Sequence, residues 1–240
     1  MGDVPFEQAV LVDFPLQTAV AALRVFLEMG VPGSGKENDK VLIWGAGGAV
    51  GSYAVQYAKS VSLKTSSPSG RQVSTTVSVN IRQVGHTVVV TASPRDIERQ
   101  KRLGASEVID YKSADVVEQL RAHGPYKFMF TASGDTASQK AMAALLPNGG
   151  RFASVLPGGI ELPPNLEIVY TAFSQAAQKE EYKDWRTWWY QTYLPEVLAK
   201  GLVEPVKFAT VDGGLAALQQ ANQDVFEAKV RGKLVVNPQE

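Results

Sequence analysis

Apolar positions along this chain switch between two spacings. Pro15 to Met29 (PLQTAVAALRVFLEM) carries them at helical spacing with proline near the first turn, which predicts a helix. Gly30 to Asp39 is a Gly-, Pro- and polar-rich loop. Val41 to Trp44 (VLIW) is a short, continuous apolar run that suits a strand buried on both faces. A glycine cluster follows, then a helix over Ser52 to Ser60. Further strands are predicted at Thr87 to Thr91, Val108 to Tyr111, Lys127 to Thr131, Arg151 to Leu156 and Glu167 to Ala172. Helices fall between them at Ile97 to Leu103, Ala114 to His123 and Thr136 to Leu146. Strands alternating with helices predict an α/β fold, a doubly wound parallel sheet with both faces covered. The tail holds a Trp-rich helix from about Asp184 to Lys200, a short helix over Leu215 to Ala221 and a last strand at Lys233 to Val236.

One stretch breaks the pattern. Nine of the 23 residues in 61–83 are Ser or Thr, none is acidic, and no period holds. A helix-to-strand connection is usually about two to six residues. Joining Ser60 to Val84 restores a connection of that length. The block opens on Val, whose codons begin GT, and closes on Gln, one of whose codons is CAG. Those are intron ends, so the block reads either as a retained intron or as a genuine loop insertion on the surface.

Composition narrows the function classes. The 240 residues have zero formal net charge, 45% hydrophobic content and 20% charged content, enough to bury a core. Zero net charge leaves no basic footprint for nucleic acid and no pull toward anionic membranes. Cysteine is absent, which removes disulfides, thiol nucleophiles and Cys-ligated zinc, and only His86 and His123 remain for a His-based metal centre. No metal site is expected. No signal peptide is visible and no run approaches about eighteen apolar residues, so the expected location is the cytoplasm.

The chemistry concentrates in VLIW-GAGGAVG-SYAVQYAK, where Gly45, Gly48 and Gly51 are spaced three apart around Gly47. A dinucleotide-binding turn needs glycines to leave the strand sharply, to let backbone approach a pyrophosphate and to pack helix on sheet. The phosphates then rest on unpaired N–H groups at the helix N-terminus, here around Ala49 and Val50. The fit is to a G-x-x-G-x-x-G variant, and its strand–turn–helix context is the required one. A tight turn without ligand is the competing reading. The second strand ends Thr91-Ala92-Ser93-Pro94-Arg95-Asp96, where a cation accommodates the 2′-phosphate of NADP and an acid binds the ribose of NAD. Ser93 and Arg95 favour NADPH; Asp96 argues the other way, and Arg95 also reads as a solvated cation at a helix start.

Competing motifs are weaker. Gly30 to Lys36 has P-loop spacing, but Glu37 replaces the Mg²⁺-binding Ser or Thr, and a helix precedes where a strand should. There is no G-x-S-x-G elbow and no Tyr with Lys four residues on. Trp185, Trp188, Trp189, Tyr190 and Tyr193 read more readily as core than as a substrate or partner surface.

The segments PFEQAV…PLQTAVAAL, VLIWGAGGAVGSYAVQYAK, VGHTVVVTASPRD, RLGASEVIDY, NGGRFASVLP and RGKLVV, in this order, resemble medium-chain dehydrogenase/reductases. The pattern is most similar to the zinc-independent quinone-reductase branch and its fungal trans-enoyl-reductase-like members. The resemblance covers nearly everything outside 61–83. It implies NADPH-dependent hydride transfer to an activated alkene or quinone. It places Gly48 to Gly51 at the pyrophosphate, Ser93 to Asp96 at the 2′-phosphate and Tyr111 beside the adenosine. It brings Val155 and Leu156 near the nicotinamide, Thr18 toward it from the first helix, and Lys229 to Lys233 to the cofactor side. It implies a polyketide synthase partner and a homodimer and assigns no catalytic side chain; an apolar small-molecule acceptor is suggested by the Trp-rich helix instead. The implied domains are 1–29, a residual linker and first helix; 30–236, the Rossmann dinucleotide-binding domain interrupted at 61–83; and 237–240, a tail. Family members begin with a GroES-like domain of about a hundred residues, of which only the end would be present here. The alternative function is a dinucleotide-binding module without turnover. Without the block, which carries Lys64, Arg71 and Arg82 and no acid, the net charge becomes −3.

Overall fold

The structure is a computed structural model that describes residues 4–34, 39–62, 86–227, 229–230 and 232–240. Most of the 61–83 block, and with it the insertion or intron reading, lies outside these residues.

A short helix α1 (Phe6–Ala9) leads into α2 (Asp13–Val20), which continues as wider π-helical turns over Ala21–Phe26. The helix predicted to Met29 therefore stops early; Glu28 takes a φ of +59°, which helical backbone does not allow. Next come β1 (Lys40–Trp44) and α3 (Ala49–Ser62). The α3 helix extends the predicted span at both ends, and Val61, assigned by sequence to the anomalous block, is a fully buried residue of this helix. The chain then alternates through β2 (Thr87–Ala92), α4 (Ile97–Leu103), β3 (Glu107–Asp110), α5 (Val116–His123), β4 (Phe128–Thr131), α6 (Thr136–Ala144), β5 (Gly150–Ser154) and β6 (Leu166–Val169).

These strands form one six-stranded parallel sheet in the order β3-β2-β1-β4-β5-β6. This is the doubly wound Rossmann order. The direction of strand addition reverses after β3, so right-handed crossovers place α3 and α4 on one face and α5 and α6 on the other. The strands lie buried on both faces: Val41, Leu42 and Ile43 of β1 and Val88, Val89 and Val90 of β2 are fully enclosed. Successive residues point to opposite faces. Leu42 and Trp44 pack with Leu120 of α5 and Met142 of α6, with Val89, Met129 and Phe152 completing that layer. Each such large apolar side chain contributes about 1.5–3 kcal/mol on burial.

Beyond β6 lie α7 (Lys183–Trp188), π-helical turns over Trp189–Tyr193, α8 (Leu194–Lys200), β7 (Phe208–Val211), α9 (Gly214–Phe226) and β8 (Lys233–Val236). Strands β7 and β8 pair in parallel as a separate two-stranded sheet. The Trp-rich helix is largely core: Trp189 is fully buried, Trp185 nearly so, and Trp188 stacks on Tyr193 with centroids 4.6 Å apart.

Contacts gather the chain into two compact units, Thr18–Phe173 and Met1–Gln17 with Ser174–Glu240; the lines read from sequence were 1–29, 30–236 and 237–240. By length and composition Phe6–Phe26 is a helix able to cross a membrane, with mean hydropathy 1.5. Within it Leu16 and every residue from Ala19 to Leu23 are fully buried, while Phe6, Val10 and Phe14 are exposed.

Candidate functional site

The site is built at the carboxyl ends of the strands, where β1 and β4 lie side by side and the strand order reverses. Ligands of open α/β sheets bind at this switch point. The chain leaves β1 through Gly45, whose φ is +83°. A Cβ there would also stand only 3.1 Å from the Ser133 backbone nitrogen. The turn is tied to β2: the Gly45 N–H donates to Thr91 Oγ1 at 3.0 Å and the Ala46 N–H to the Thr91 carbonyl at 2.9 Å. At Gly51, inside the first turn of α3, a Cβ would collide with the Gly45 carbonyl oxygen. Only glycine lets the helix start this close to the strand exit.

The other side of the turn is open. Gly47 and Gly48 are exposed, with Ala49 and Val50 half-exposed behind them at the N-terminus of α3. A Cβ on Gly48 would meet nothing nearer than the Gly45 oxygen at 3.7 Å, and one on Gly47 only Asp96 Oδ2 at 3.4 Å. Backbone N–H groups at a helix start with free approach suit an anion such as a pyrophosphate. The residues present therefore fit a dinucleotide.

The turn after β2 borders this opening. Ser93 is half-buried and precedes a single 3₁₀ turn, Pro94–Asp96. Arg95 is exposed, its Nε 3.9 Å from the Asp96 carboxylate. Thus Asp96, the mild counter-argument in the sequence, is the residue that faces Gly47. Tyr111 lies just beyond β3, 41% exposed, with Lys112 Nζ 5.7 Å from its ring centre. Thr18 is half-buried on α2.

On the β4 and β5 side the structure adds a buried polar network that sequence reading missed. Thr131, Ser138, Gln139 and Ser154 are all essentially inaccessible. Thr131 Oγ1 bonds Ser138 Oγ at 2.9 Å and accepts the Gly134 N–H at 3.0 Å. Gln139 Nε2 donates to the carbonyls of Gly134 (2.9 Å) and Pro157 (3.0 Å), with Ser154 Oγ at 3.2 Å, while its Oε1 accepts the Gly159 N–H at 2.9 Å. Val155 extends the ladder, donating to Thr131 O, and Leu156 is 48% exposed. Asp135 caps α6 by accepting the Ser138 N–H at 2.9 Å. Desolvation raises its pKa, but the Ser138 N–H, the Ser133 hydroxyl and the Asp135 and Ala137 N–H groups outweigh it, holding the carboxyl below its ordinary range. The available signal was polar residues clustered after two buried strands, in TASGDT and ASVLPGG.

The structure thus brings Gly45, Gly48, Ala49, Val50 and Gly51 into one turn, with Asp96 against it. Val155 and Leu156 join the β4 side, because a Cβ on Gly134 would lie 2.9 Å from Leu156 Cβ.

The trans-enoyl reductase tazE of Aspergillus terreus is 30% identical over 189 residues, covering 74% of this chain and 54% of its own length. A trans-enoyl reductase of Gibberella fujikuroi is 24% identical over 254 residues, covering 96% of this chain and 64% of its own. The chain therefore spans less than two thirds of these relatives. Among solved structures, a quinone oxidoreductase of Pseudomonas syringae pv. tomato superposes with a TM-score of 0.69 at 19% identity, over 99% of this chain and 66% of that one. The likeness to that structure is one of fold. The family model for zinc-binding dehydrogenases matches residues 103–236. Zinc itself does not fit the residues present: the sequence has no cysteine, and no group of three potential ligands occurs among the described residues. By a match over more than half its length, the chain belongs to the zinc-binding dehydrogenase family; the trans-enoyl reductases above are what it is similar to within the medium-chain dehydrogenase/reductases.

Proposed function

We propose that this chain is the dinucleotide-binding part of an NADPH-dependent reductase that passes hydride to an activated alkene or a quinone. The observation that carries this reading is the open glycine turn at the switch point, with Gly47 and Gly48 unobstructed before the N-terminus of α3. Bound there, a reduced nicotinamide supplies the hydride. The chain's own residues bind and orient. The N–H groups around Gly48 to Gly51 hold the pyrophosphate, and Ser93 and Arg95 meet the adenosine ribose and its 2′-phosphate. Tyr111 lines the adenosine, and Val155 and Leu156 form the bed for the other half. Thr18 approaches the acceptor from α2.

The relatives' names support an enoyl group as acceptor, and a polyketide synthase that delivers it is the partner this reading implies, together with a second copy of the chain. No side chain is assigned proton transfer, because reductases of this kind work largely by holding hydride donor and acceptor in reacting geometry. The direct test is fluorescence titration with NADPH and NADH, followed by enone-dependent oxidation of the bound form. Binding with turnover is expected. Binding without turnover leaves a dinucleotide-binding module, and failure to bind either nucleotide overturns the reading.

A further inference from the structure

We propose that Gln139 is the positioning residue for the nicotinamide half of the dinucleotide. The inference rests on the dinucleotide reading above and extends it to a residue outside the glycine turn.

The Ser93–Asp96 turn flanks the glycine turn on the β2 side, and Asp96 faces Gly47 across it. A dinucleotide lies across the crevice at the switch point. With its adenosine on the β2 side, its other half falls over the ends of β4 and β5. Two loops form the floor there: 131–135 after β4 and 155–159 after β5. They follow adjacent parallel strands, paired at Phe130 with Ala153 and at Thr131 with Ser154. Beyond those pairs no ladder bond sets their relative height except Val155 N–H to Thr131 O at 3.2 Å.

Gln139 supplies the missing ties. Its side chain is 1% exposed and enters between the loops from the first turn of α6. One amide group spans both: Nε2 reaches Gly134 O in one loop and Pro157 O in the other, and Oε1 takes the Gly159 N–H. Ser154 Oγ adds a bond to Leu156 O at 2.8 Å and lies 3.2 Å from Gln139 Nε2. An amide is suited to this task because it offers two donors and an acceptor in one rigid plane. Glutamate would set a carboxylate against the carbonyls of Gly134 and Pro157, acceptor against acceptor. Methionine keeps the length and loses every bond. Buried, fully connected networks of this kind hold a single geometry, and Leu156, which Gln139 fixes from beneath, is exposed on the upper side.

The test compares two probes on the full chain: the dinucleotide the wild type prefers, and the matching ADP-ribose, which lacks only the nicotinamide. Gln139→Met is expected to weaken the complete dinucleotide by about tenfold, the scale of one lost buried hydrogen bond, and to change ADP-ribose binding by less than about twofold. Gln139→Glu should act in the same direction and more strongly. Ser154→Ala, a milder change for use if Gln139→Glu does not fold, should show the same selectivity at smaller amplitude. Equal losses on both probes, or none on either, overturn the inference while leaving the proposed function standing. A wild-type chain that binds neither probe overturns the proposed function itself.

Discussion

Thr91 Oγ1 accepts the backbone N–H of Gly45 at 3.0 Å, so a side chain of β2 holds the backbone turn that leaves β1. Thr91 is completely buried, and Gly45 is half-buried. Thr91→Val keeps the shape and removes the acceptor. It is expected to cost about 0.5–1.5 kcal/mol, the net worth of one hydrogen bond. Urea unfolding measures this. A variant as stable as the wild type would show that the bond does not matter.

Gly51→Ala brings a Cβ into the Gly45 carbonyl and the Ala46 Cα, both backbone atoms that cannot swing aside. Overpacking of this kind costs about 1–3 kcal/mol. The helix start must move away from the strand exit, so nucleotide affinity should fall together with stability. Unchanged binding in a folded Gly51→Ala variant would count against the glycine turn as the pyrophosphate site.

In the proposed site, Arg95 and Asp96 would divide the choice of nucleotide between them. Arg95→Ala should weaken NADPH by about tenfold and leave NADH unchanged, because only the former carries the phosphate it would pair with. Asp96→Asn removes a negative charge beside Gly47 and should shift the preference further toward NADPH. The measurement is the ratio of the two dissociation constants in each variant. A ratio that stays constant in both removes the role assigned to this turn.

Asp135 sets an acid limb on stability. Its folded carboxyl lies below the ordinary value of 3.8, so the ionised form is favoured by folding. That contribution is present above the unfolded value and is lost as pH falls through the lower, folded one. Asp135→Asn keeps a capping oxygen but cannot titrate. The stability difference between wild type and variant should therefore shrink as pH drops below about 4. Thermal unfolding across pH 2.5 to 6, at intervals of about half a unit, tests this; a constant difference would exclude it.

Much of the fold could be read from short-range pattern. VLIW and TVVVT are continuous apolar runs because their strands lie inside a parallel sheet, and they form β1 and β2 as expected. The β7 strand, Phe208–Val211, escaped notice because it is short and partly exposed and takes its partner from Lys233–Val236, far along the chain. The Trp-rich helix was read mainly as core, and Trp185, Trp189 and Tyr193 are buried there.

The glycine turn was visible because its requirements are local: a sharp exit, a close approach and a helix start all fall within Gly45 to Gly51. Its neighbours were not visible in the same way. Asp96 reads as an ordinary acid at a helix start until the pairing of β1 with β2 sets it opposite Gly47. Gln139 reads as a polar residue on a helix until β4 and β5 lie side by side and their two loops converge on its amide. Contiguous residues carry the turn because backbone geometry is a short-range property. The two loops meet at one amide only because parallel strands bring together carbonyls that lie more than twenty residues apart, at Gly134 and Pro157.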